Sequence, residues 1–387
     1  MRLAGRRVLI DATGASIGGG YTYLVNVIPR LCVAAPEASF RLMLRNPRLI
    51  EVLSEVAGSV SNLEVVALPE VSVATRLAHT FFVMPMLAKR WGADVFFSVG
   101  EVAPPWLRCA SIASFRNANV FTRDVPAPDV RERVRFAVLY VIARLAAWSC
   151  DRILFVSQAS ARWIGGLLGL SEARRAVIHH GIDAAEWASA EAYADHPRPY
   201  ILSVSSIYHY KNFVRLIEAW TQVAVRRGTE HTPDLVIIGD ECESDYRQKM
   251  EAARQAAGDL AARIHIMGGI PYEDVKRWCR GSVMFVFPSY LETFGHPLLE
   301  AMAAGVPLVA SDIESFREVA GDAARIAAHD DVGAMADAIE DSLDPTIAAG
   351  MVRKGTEQVA RFGWDASVVA LAELFEDVLR DRESGAR

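Results

Sequence analysis

Short apolar runs alternate along the chain with longer segments in which apolar residues recur at helical spacing. Most of these runs are continuous, which is typical of strands covered on both faces in a parallel sheet flanked by helices. The pattern predicts two series of strands. The first series is Arg7–Ala12, Phe40–Leu44, Leu63–Leu68, Asp94–Ser98, Ser111–Phe115 and Arg152–Val156. The second series is Tyr200–Val204, Asp234–Ile238, Arg263–Met267, Val283–Phe287 and Val306–Ala310.

Strand–helix alternation over two series predicts two doubly wound α/β domains. The segment Ala184–Pro199 interrupts the alternation because it lacks a strand pattern and ends in His196-Pro197-Arg198-Pro199. We therefore predict a first domain over residues 1–183 and a second over residues 184–364. A length of 387 residues agrees with two domains.

Composition and charge narrow the class of protein. Hydrophobic residues make up 52% of the chain and charged residues 23%, which excludes a disordered or fibrous chain. The net charge of −6 predicts no nucleic-acid partner. Residues 1–183 carry 21 Lys+Arg and 14 Asp+Glu, a net of +7, whereas the remainder carries 20 and 33, a net of −13. The basic first half is expected to meet an anionic partner such as a phosphorylated lipid or a membrane surface.

Cysteine usage and hydropathy predict a cytoplasmic protein. The five cysteines are far apart and form no CxxC, so neither a disulfide framework nor a zinc-finger spacing is expected. No apolar run reaches the roughly 18 residues that a membrane-spanning helix needs.

The segment from Phe287 to Gly305 carries the clearest candidate chemistry. It begins in a predicted buried strand, and Pro297 suits the first turn of the helix that follows. The strand therefore delivers a loop and a helix N-terminus to the carboxyl edge of a parallel sheet, where free N–H groups attract phosphate. Glu292 and Glu300 flank the loop. They either accept from sugar hydroxyls or are a solvated side chain and a favourable charge near a helix start.

Two further loops are candidates for ligand binding, and each follows the first strand of one series. Lys211 lies in the loop after Tyr200–Val204 and is a candidate phosphate ligand, or simply an exposed lysine at a helix start. The glycine loop Gly14-Ala15-Ser16-Ile17-Gly18-Gly19-Gly20 follows the first strand of the chain. Its glycines allow close approach to a ligand, but it matches neither GxGxxG nor a P-loop.

The segment from Met284 to Val319, with Glu292 and Glu300 at E-x7-E spacing, resembles the donor site of retaining glycosyltransferases of family 4, the group 1 glycosyl transferases. The resemblance extends over nearly the whole chain and is to bacterial, mannosyltransferase-like members. It implies a GT-B fold, in which two Rossmann-like parallel-sheet domains face a central cleft. It also implies that the C-terminal helix, residues 365–387, packs back on the first domain.

The resemblance assigns roles to individual residues. Glu292, Lys211 and Arg116 are the expected catalytic residues, and Tyr21 and Asn117 are expected on the acceptor side. The expected donor-binding residues are Gly18, Gly19, Gly20, Ser205, Ser206, Lys211, Glu292, Thr293, Phe294, Gly295, His296, Pro297, Leu298 and Glu300. Glu292 would face the donor sugar and Glu300 the nucleotide ribose.

This sequence departs from the family pattern at two places. Ser205 and Tyr210 stand where relatives often carry the arginine that neutralises the diphosphate with Lys211. Arg116-Asn117 replaces a His-Asp pair. Arg116 either supplies the missing cation beside the donor or is a salt-bridged surface arginine.

The resemblance implies transfer of a hexose, with retention of configuration, from a nucleotide-diphosphate sugar to a hydroxyl of a lipid-linked or growing surface glycan, such as O-antigen, lipopolysaccharide or another polysaccharide. GDP-mannose is the first expectation for the donor. No Asp-x-Asp occurs in the sequence, so we expect neither a catalytic metal nor another cofactor. The alternatives are a sugar-nucleotide epimerase or phosphorylase on the same fold, and a non-catalytic nucleotide-sugar-binding subunit.

Three arginines precede a predicted apolar helix near residue 140. Arg131, Arg133 and Arg135 lead into Phe136, Leu139, Tyr140 and Ile142. This pattern is typical either of a core helix with a solvated first turn or of a peripheral contact with the inner membrane.

Overall fold

The computed structural model of the chain describes residues 3–15, 18–122 and 130–385. Ser16 and Ile17 of the glycine loop, residues 1–2 of the predicted first domain and residues 386–387 of the predicted C-terminal helix lie outside the described residues. The chain divides into two units. The first contains the described residues up to 122, residues 130–181 and residues 364–385, and the second contains residues 182–363.

The first unit is built on a sheet with seven strands in the described residues, and all neighbouring strands pair in parallel. The strand order is β3-β2-β1-β4-β5-β6-β7. The strands are β1 Arg7–Asp11, β2 Ser39–Leu44, β3 Leu63–Ala67, β4 Val95–Ser98, β5 Ala110–Phe115, β6 Arg152–Phe155 and β7 Arg175–Val177.

Helices cover both faces of this sheet. Alternate residues of one strand therefore pack in different cores. Val8 and Ile10 of β1 pack in one core, and Leu9 packs in the other. The helices before the end of the chain are α1 Gly19–Ala34, α2 Pro47–Ser59, α3 Val73–Ala78, α4 Met84–Trp91, α5 Val130–Ser149 and α6 Gln158–Leu167, with a π-helical turn at His79–Val83.

The second unit repeats the arrangement with a sheet of six strands in the order β10-β9-β8-β11-β12-β13, again all parallel. Its strands are β8 Tyr200–Val204, β9 Asp234–Ile238, β10 Ile264–Met267, β11 Met284–Phe287, β12 Leu308–Ser311 and β13 Ala324–Ala327. Its helices are α7 Ala184–Ser189, α8 Phe213–Arg227, α9 Ser244–Ala256, α10 Tyr272–Gly281, α11 His296–Ala303, α12 Glu314–Ala320, α13 Val332–Ser342 and α14 Pro345–Val359.

The predicted doubly wound α/β architecture is confirmed in both units. All predicted strands are present, and their ends agree within two residues. The pattern missed β7 and β13, which are the last strands of their sheets. Both are short edge strands that contain an arginine, and only Ala327 among their residues is buried, so neither forms a continuous apolar run.

Strand order fixes where a ligand is expected on each unit. In both sheets the order reverses beside the first strand, between β1 and β4 and between β8 and β11. Open α/β sheets bind ligands at the carboxyl ends of the strands at such a switch point. The loops that follow β1, β8 and β11 therefore occupy the expected binding edges of their units.

The final helix, α15 Trp364–Glu383, belongs to the first unit. It packs against α1, and the fully buried Phe375 lies edge-on to Phe97 of β4, with 5.5 Å between ring centroids. Trp364, Val368 and Leu371 are buried in the same core. The chain thus completes the first unit with its own final helix.

None of the helices in the described ranges combines the length and apolarity needed to cross a membrane.

Truncating Phe375 to Ala is expected to lower the free energy of unfolding by about 3–5 kcal/mol, because it removes a fully buried ring and leaves a cavity. Urea unfolding measures the change. Val369→Ala is the matched control on the same helix, since Val369 is 42% exposed. Equal midpoints for the two variants would show that α15 contributes little to this core.

Candidate functional site

Two loops meet at the carboxyl edge of the second sheet. The loop after β8 runs from Ser205 to Asn212, and the loop after β11 runs from Pro288 to Gly295. Tyr290 N–H donates to Tyr210 O at 3.0 Å, and Ser289 Oγ donates to the same oxygen at 3.2 Å. Ser205 and Ser206 are half-buried at the start of the first loop. Adjacent strands therefore hold the two predicted donor loops in contact.

Glycine is required where the first loop passes its neighbouring strand. A Cβ at Gly239, which follows β9, would lie 1.8 Å from Ser205 O. No side chain fits at that distance, so the path of the loop depends on Gly239.

The structure brings together Lys211 and Glu292, two of the expected catalytic residues. Lys211 Nζ donates to Glu292 Oε1, and both side chains are largely buried. Ser289 Oγ lies 3.2 Å from the same carboxylate oxygen. The lysine ammonium also lies 5.3 Å from the ring centroid of Phe287. The cation and the carboxylate thus neutralise each other at the binding edge of the sheet.

Sequence reasoning missed Asn212, which lies between Lys211 and the first residue of α8. Asn212 has a left-handed backbone, with φ +62°, and its side chain donates to His329 O at 2.8 Å. Asparagine tolerates this conformation better than most residues, and its place directly before a helix was an available signal. The turn at Asn212 begins α8 and leaves Lys211 at the helix start.

The loop after β11 ends in a tight turn at Gly295, whose φ is +96°. A Cβ there would lie 2.6 Å from Cε1 of Phe316. His296 and Pro297 then begin α11, and Thr293 and Phe294 are buried before the turn. Leu298 is fully buried and its N–H donates to Gly295 O at 3.0 Å. A ligand here is therefore expected to meet backbone N–H groups ahead of Leu298.

Glu300 lies one turn into α11 and is buried. Tyr272 Oη donates to Glu300 Oε1 at 2.7 Å, and His296 Nδ1 lies 3.4 Å from the same oxygen. Burial, together with the Glu300 charge, raises the pKa of Tyr272, so the phenol keeps its proton and stays a donor. Sequence reasoning missed Tyr272, because contact across separate elements leaves no local pattern.

A half-buried histidine lies in the lysine loop. His209 N–H donates to Glu243 Oε2 at 2.8 Å, and its ring lies beside Tyr246 and Tyr290. Burial, followed by the charge of Lys249, lowers the pKa of His209. The ring is therefore neutral at physiological pH and adds no cation to this loop.

The remaining predicted site residues lie in the first unit. Gly18, with φ +95°, precedes α1, and Gly19 and Gly20 are the first residues of that helix. Tyr21 lies in its first turn, and the Arg48 guanidinium is 5.0 Å from the Tyr21 ring centroid. The glycine loop therefore leads from β1 into a helix N-terminus, in agreement with the sequence pattern.

Arg116 follows β5 and is held by the first unit itself. Its guanidinium lies 3.5 Å from the ring centroid of Tyr23, and its Nε donates to Ser114 Oγ at 2.8 Å. The N–H groups of Arg116 and Asn117 both donate to Glu101 Oε1, at 2.9 and 2.7 Å. Burial lowers the pKa of Arg116, although the group stays charged at neutral pH. Arg116 is thus fixed by an aromatic ring and not by a surface salt bridge alone.

Residues 188–358 match the family model described as glycosyl transferases, group 1. This range contains the two loops, α11 and both predicted glutamates. The second unit is therefore similar to the group 1 glycosyl transferases. The expectation drawn from the Glu292–Glu300 segment is confirmed at this level.

Two curated relatives of the chain are named mannosyltransferases. The phosphatidyl-myo-inositol mannosyltransferase of Mycolicibacterium smegmatis is 31% identical over 58% of this chain and 56% of the relative. The O-antigen chain mannosyltransferase B of Escherichia coli is 39% identical over 26% of this chain and 27% of the relative. The chain thus spans about half or less of the length of these relatives.

The fold extends beyond the matched residues. The structure of Anabaena HepE in complex with UDP and glucose covers 96% of this chain and 100% of HepE, with a TM-score of 0.72 and 16% identity. When the strands of each unit are counted from its own first strand, the first five have the order 3-2-1-4-5 in both parallel sheets. Together with the likeness to HepE, this order confirms the predicted GT-B fold.

Replacing Gly295 by Ala is expected to lower stability by about 1–3 kcal/mol, because a left-handed backbone and the Phe316 ring both resist the new Cβ. Thermal unfolding measures the loss. Gly350→Ala is the control, since it lies inside α14 with nothing within 4 Å of a new Cβ. An unchanged midpoint for Gly295→Ala would contradict the tight packing described for this turn.

Proposed function

We propose that the protein is a retaining glycosyltransferase of family 4 that moves a hexose from a nucleotide-diphosphate sugar to a hydroxyl of a lipid-linked or growing surface glycan. The observation that carries the proposal is the placement of Lys211, Glu292 and Glu300 around the start of α11 at the switch point of the second sheet. The identities of the donor and the acceptor, and independence from metal, are parts of the same proposal.

The nucleotide half of the donor fits the start of α11. The backbone N–H groups and the dipole of a helix N-terminus favour a diphosphate, and a buried carboxylate favours paired ribose hydroxyls. Both contacts that the described residues make with the Glu300 carboxylate fall on Oε1. Oε2 is therefore the oxygen offered to the ribose, and Tyr272 holds the carboxylate in place.

The sugar half of the donor fits the Lys211–Glu292 pair. An arriving diphosphate competes with Glu292 for the lysine ammonium, because it carries more negative charge. The exchange would leave Glu292 to accept from sugar hydroxyls and Lys211 to stabilise the leaving diphosphate. The bond between the anomeric carbon and the diphosphate then breaks. The acceptor hydroxyl attacks from the same face and gives its proton to an oxygen of the departing diphosphate. Arg116 is proposed to supply a second fixed cation.

The relatives' names support a particular donor and acceptor class. Mannosyl transfer in both names favours GDP-mannose, whereas the HepE complex with UDP and glucose favours UDP-hexoses as the next donors to test. A lipid-borne acceptor and a surface glycan also agree with those names. We propose that no metal takes part in the reaction and that the enzyme works in the cytoplasm, at the inner face of the membrane.

A thermal-shift panel with turnover assays tests the donor site. The panel contains GDP-mannose, UDP-glucose, UDP-N-acetylglucosamine, UDP-galactose and dTDP-rhamnose. The bound donor at 100 times its Kd is expected to add about 2.7 kcal/mol of stability. Glu300→Gln is expected to weaken binding of that donor roughly 10- to 100-fold, since it replaces a charged hydrogen-bond acceptor with a neutral one. Glu357→Gln, exposed on α14, is the control.

Each other outcome of the panel has a definite meaning. A donor that binds without turnover in wild type favours the non-catalytic subunit. Epimerisation of the donor without an acceptor favours an epimerase, and turnover that requires inorganic phosphate favours a phosphorylase. Equal donor affinity in Glu300→Gln and wild type would remove Glu300 from the ribose site. Inversion of the anomeric configuration in the product would exclude the retaining assignment.

The outer face of α5 supports a peripheral membrane contact. Val134, Val138, Val141, Leu145 and Trp148 are 41–77% exposed and follow one another at intervals of four, three, four and three residues. This spacing places them on one face. The opposite face is buried through small residues, among them Ala143 and Ala146. The expected core helix is thus solvated along its outer face as well as in its first turn, because large apolar side chains stay exposed along its length.

The basic residues at the start of α5 favour an anionic surface as the partner of its exposed apolar face. Arg131, Arg133 and Arg135 are exposed at the start of α5. They lie in the half of the sequence whose net charge is +7. Apolar side chains beside basic ones are typical of helices that lie in the interface of anionic membranes.

Replacing Val138 and Val141 together by Ser is expected to weaken binding to vesicles that contain phosphatidylglycerol by at least about tenfold, because two apolar side chains no longer leave water. Cosedimentation measures the binding. Val225→Ser, 72% exposed on α8, is the control. Equal binding of all three proteins, or equal binding to neutral vesicles, would rule out this face as a membrane contact.

A further inference from the structure

A second group of chemically active side chains lies at the opposite edge of the second sheet. His196 precedes β8, Asp234 begins β9, and His265 is the second residue of β10. One nitrogen or oxygen atom from each lies within 4.8 Å of the others. β9 is five residues long, so this group lies about 13 Å along the strand from the proposed donor edge.

The two oxygens of Asp234 have different partners. Arg263 binds Oδ1 through Nε at 2.7 Å and Nη2 at 2.6 Å. The same guanidinium donates to the carbonyls of Thr229 and Thr232, so its position is fixed. Oδ2 faces His265 Nε2 at 3.3 Å. One oxygen is therefore anchored, and the other is directed towards the histidines.

The ring of His196 is oriented by its surroundings. Its Nδ1 lies 2.8 Å from Arg198 O, a distance at which Nδ1–H donates to the carbonyl. That tautomer leaves the lone pair on Nε2. The ring also packs on Tyr200, with 5.0 Å between centroids, and edge-on to His265 at 5.2 Å. Histidines that bind metals are usually held in this way, with the second nitrogen donating to a carbonyl.

We propose that His196, Asp234 and His265 form a binding site for a divalent transition-metal ion, with Zn²⁺ the best match. Two imidazoles and one carboxylate are a ligand set that zinc accepts, with water as the fourth ligand. The His265 side chain is 38% exposed, which gives the ion a path from solvent. The cations Arg198 and Arg263 lie near Asp234 and lower the affinity.

The ion would act on structure and not on the transfer reaction. It would join the segment before β8 to the first residues of β9 and β10. The site differs from the proposed donor site in residues and in place, and the proposal does not depend on the donor.

Titration of the metal-free full chain with Zn²⁺ tests the proposal by calorimetry. The titration is done in a Cys242→Ser background, because Cys242 is an exposed thiol that zinc would also bind. The Cys242→Ser protein, the parent of the variants below, is expected to bind one equivalent of Zn²⁺. His196→Ala and His265→Ala should each weaken binding at least about tenfold, and His231→Ala, an exposed histidine of the same unit, should not.

Thermal unfolding with and without Zn²⁺ gives a second measurement on the same proteins. We expect the ion to raise the unfolding midpoint of the parent protein and not of His196→Ala. Comparable midpoints without metal confirm that the variants fold. Absence of saturable binding, or equal binding by the parent and both cluster variants, would overturn the proposal.

Discussion

Parallel hydrogen bonding between neighbouring strands is the constraint on which the rest of this structure depends. A parallel pair requires a crossover, and crossovers place helices on both faces and all carboxyl ends at one edge. Residues far apart in sequence, such as Lys211 and Glu292, meet because β8 and β11 are neighbours. Loop chemistry can then vary while the sheet keeps the same geometry.

The Lys211–Glu292 pair has an energetic character that suits exchange with a ligand. Burial takes both charges out of water, and their attraction offsets this desolvation cost only in part. Each partner stabilises the other because an uncompensated buried charge would cost more than the pair. The net free energy that holds the pair together is therefore small. A ligand that replaces one partner has to overcome only this net free energy. The loops can remain ordered without ligand and still accept one.

The sequence was informative wherever a local pattern reflects a global constraint. Continuous apolar runs predicted β1 and β8 because both faces of those strands are buried, whereas the edge strands β7 and β13 carry no such signal. Glu292 and Glu300 could be singled out because they flank one loop and helix. Tyr272 could not, since its contact with Glu300 joins two helices, and the exposed side of α5 could not be told from its buried side when both are apolar.

The position of α15 has a consequence for how the chain folds as it is made. The second unit is continuous in sequence, but the core of the first includes Trp364, Leu371 and Phe375. Their partners on α1 and β4 leave the ribosome long before them, and domains generally fold as units during synthesis. The second unit can therefore be complete while the first still exposes the apolar surface that α15 covers. The first unit can bury this surface only after α15 has been made and has left the ribosome.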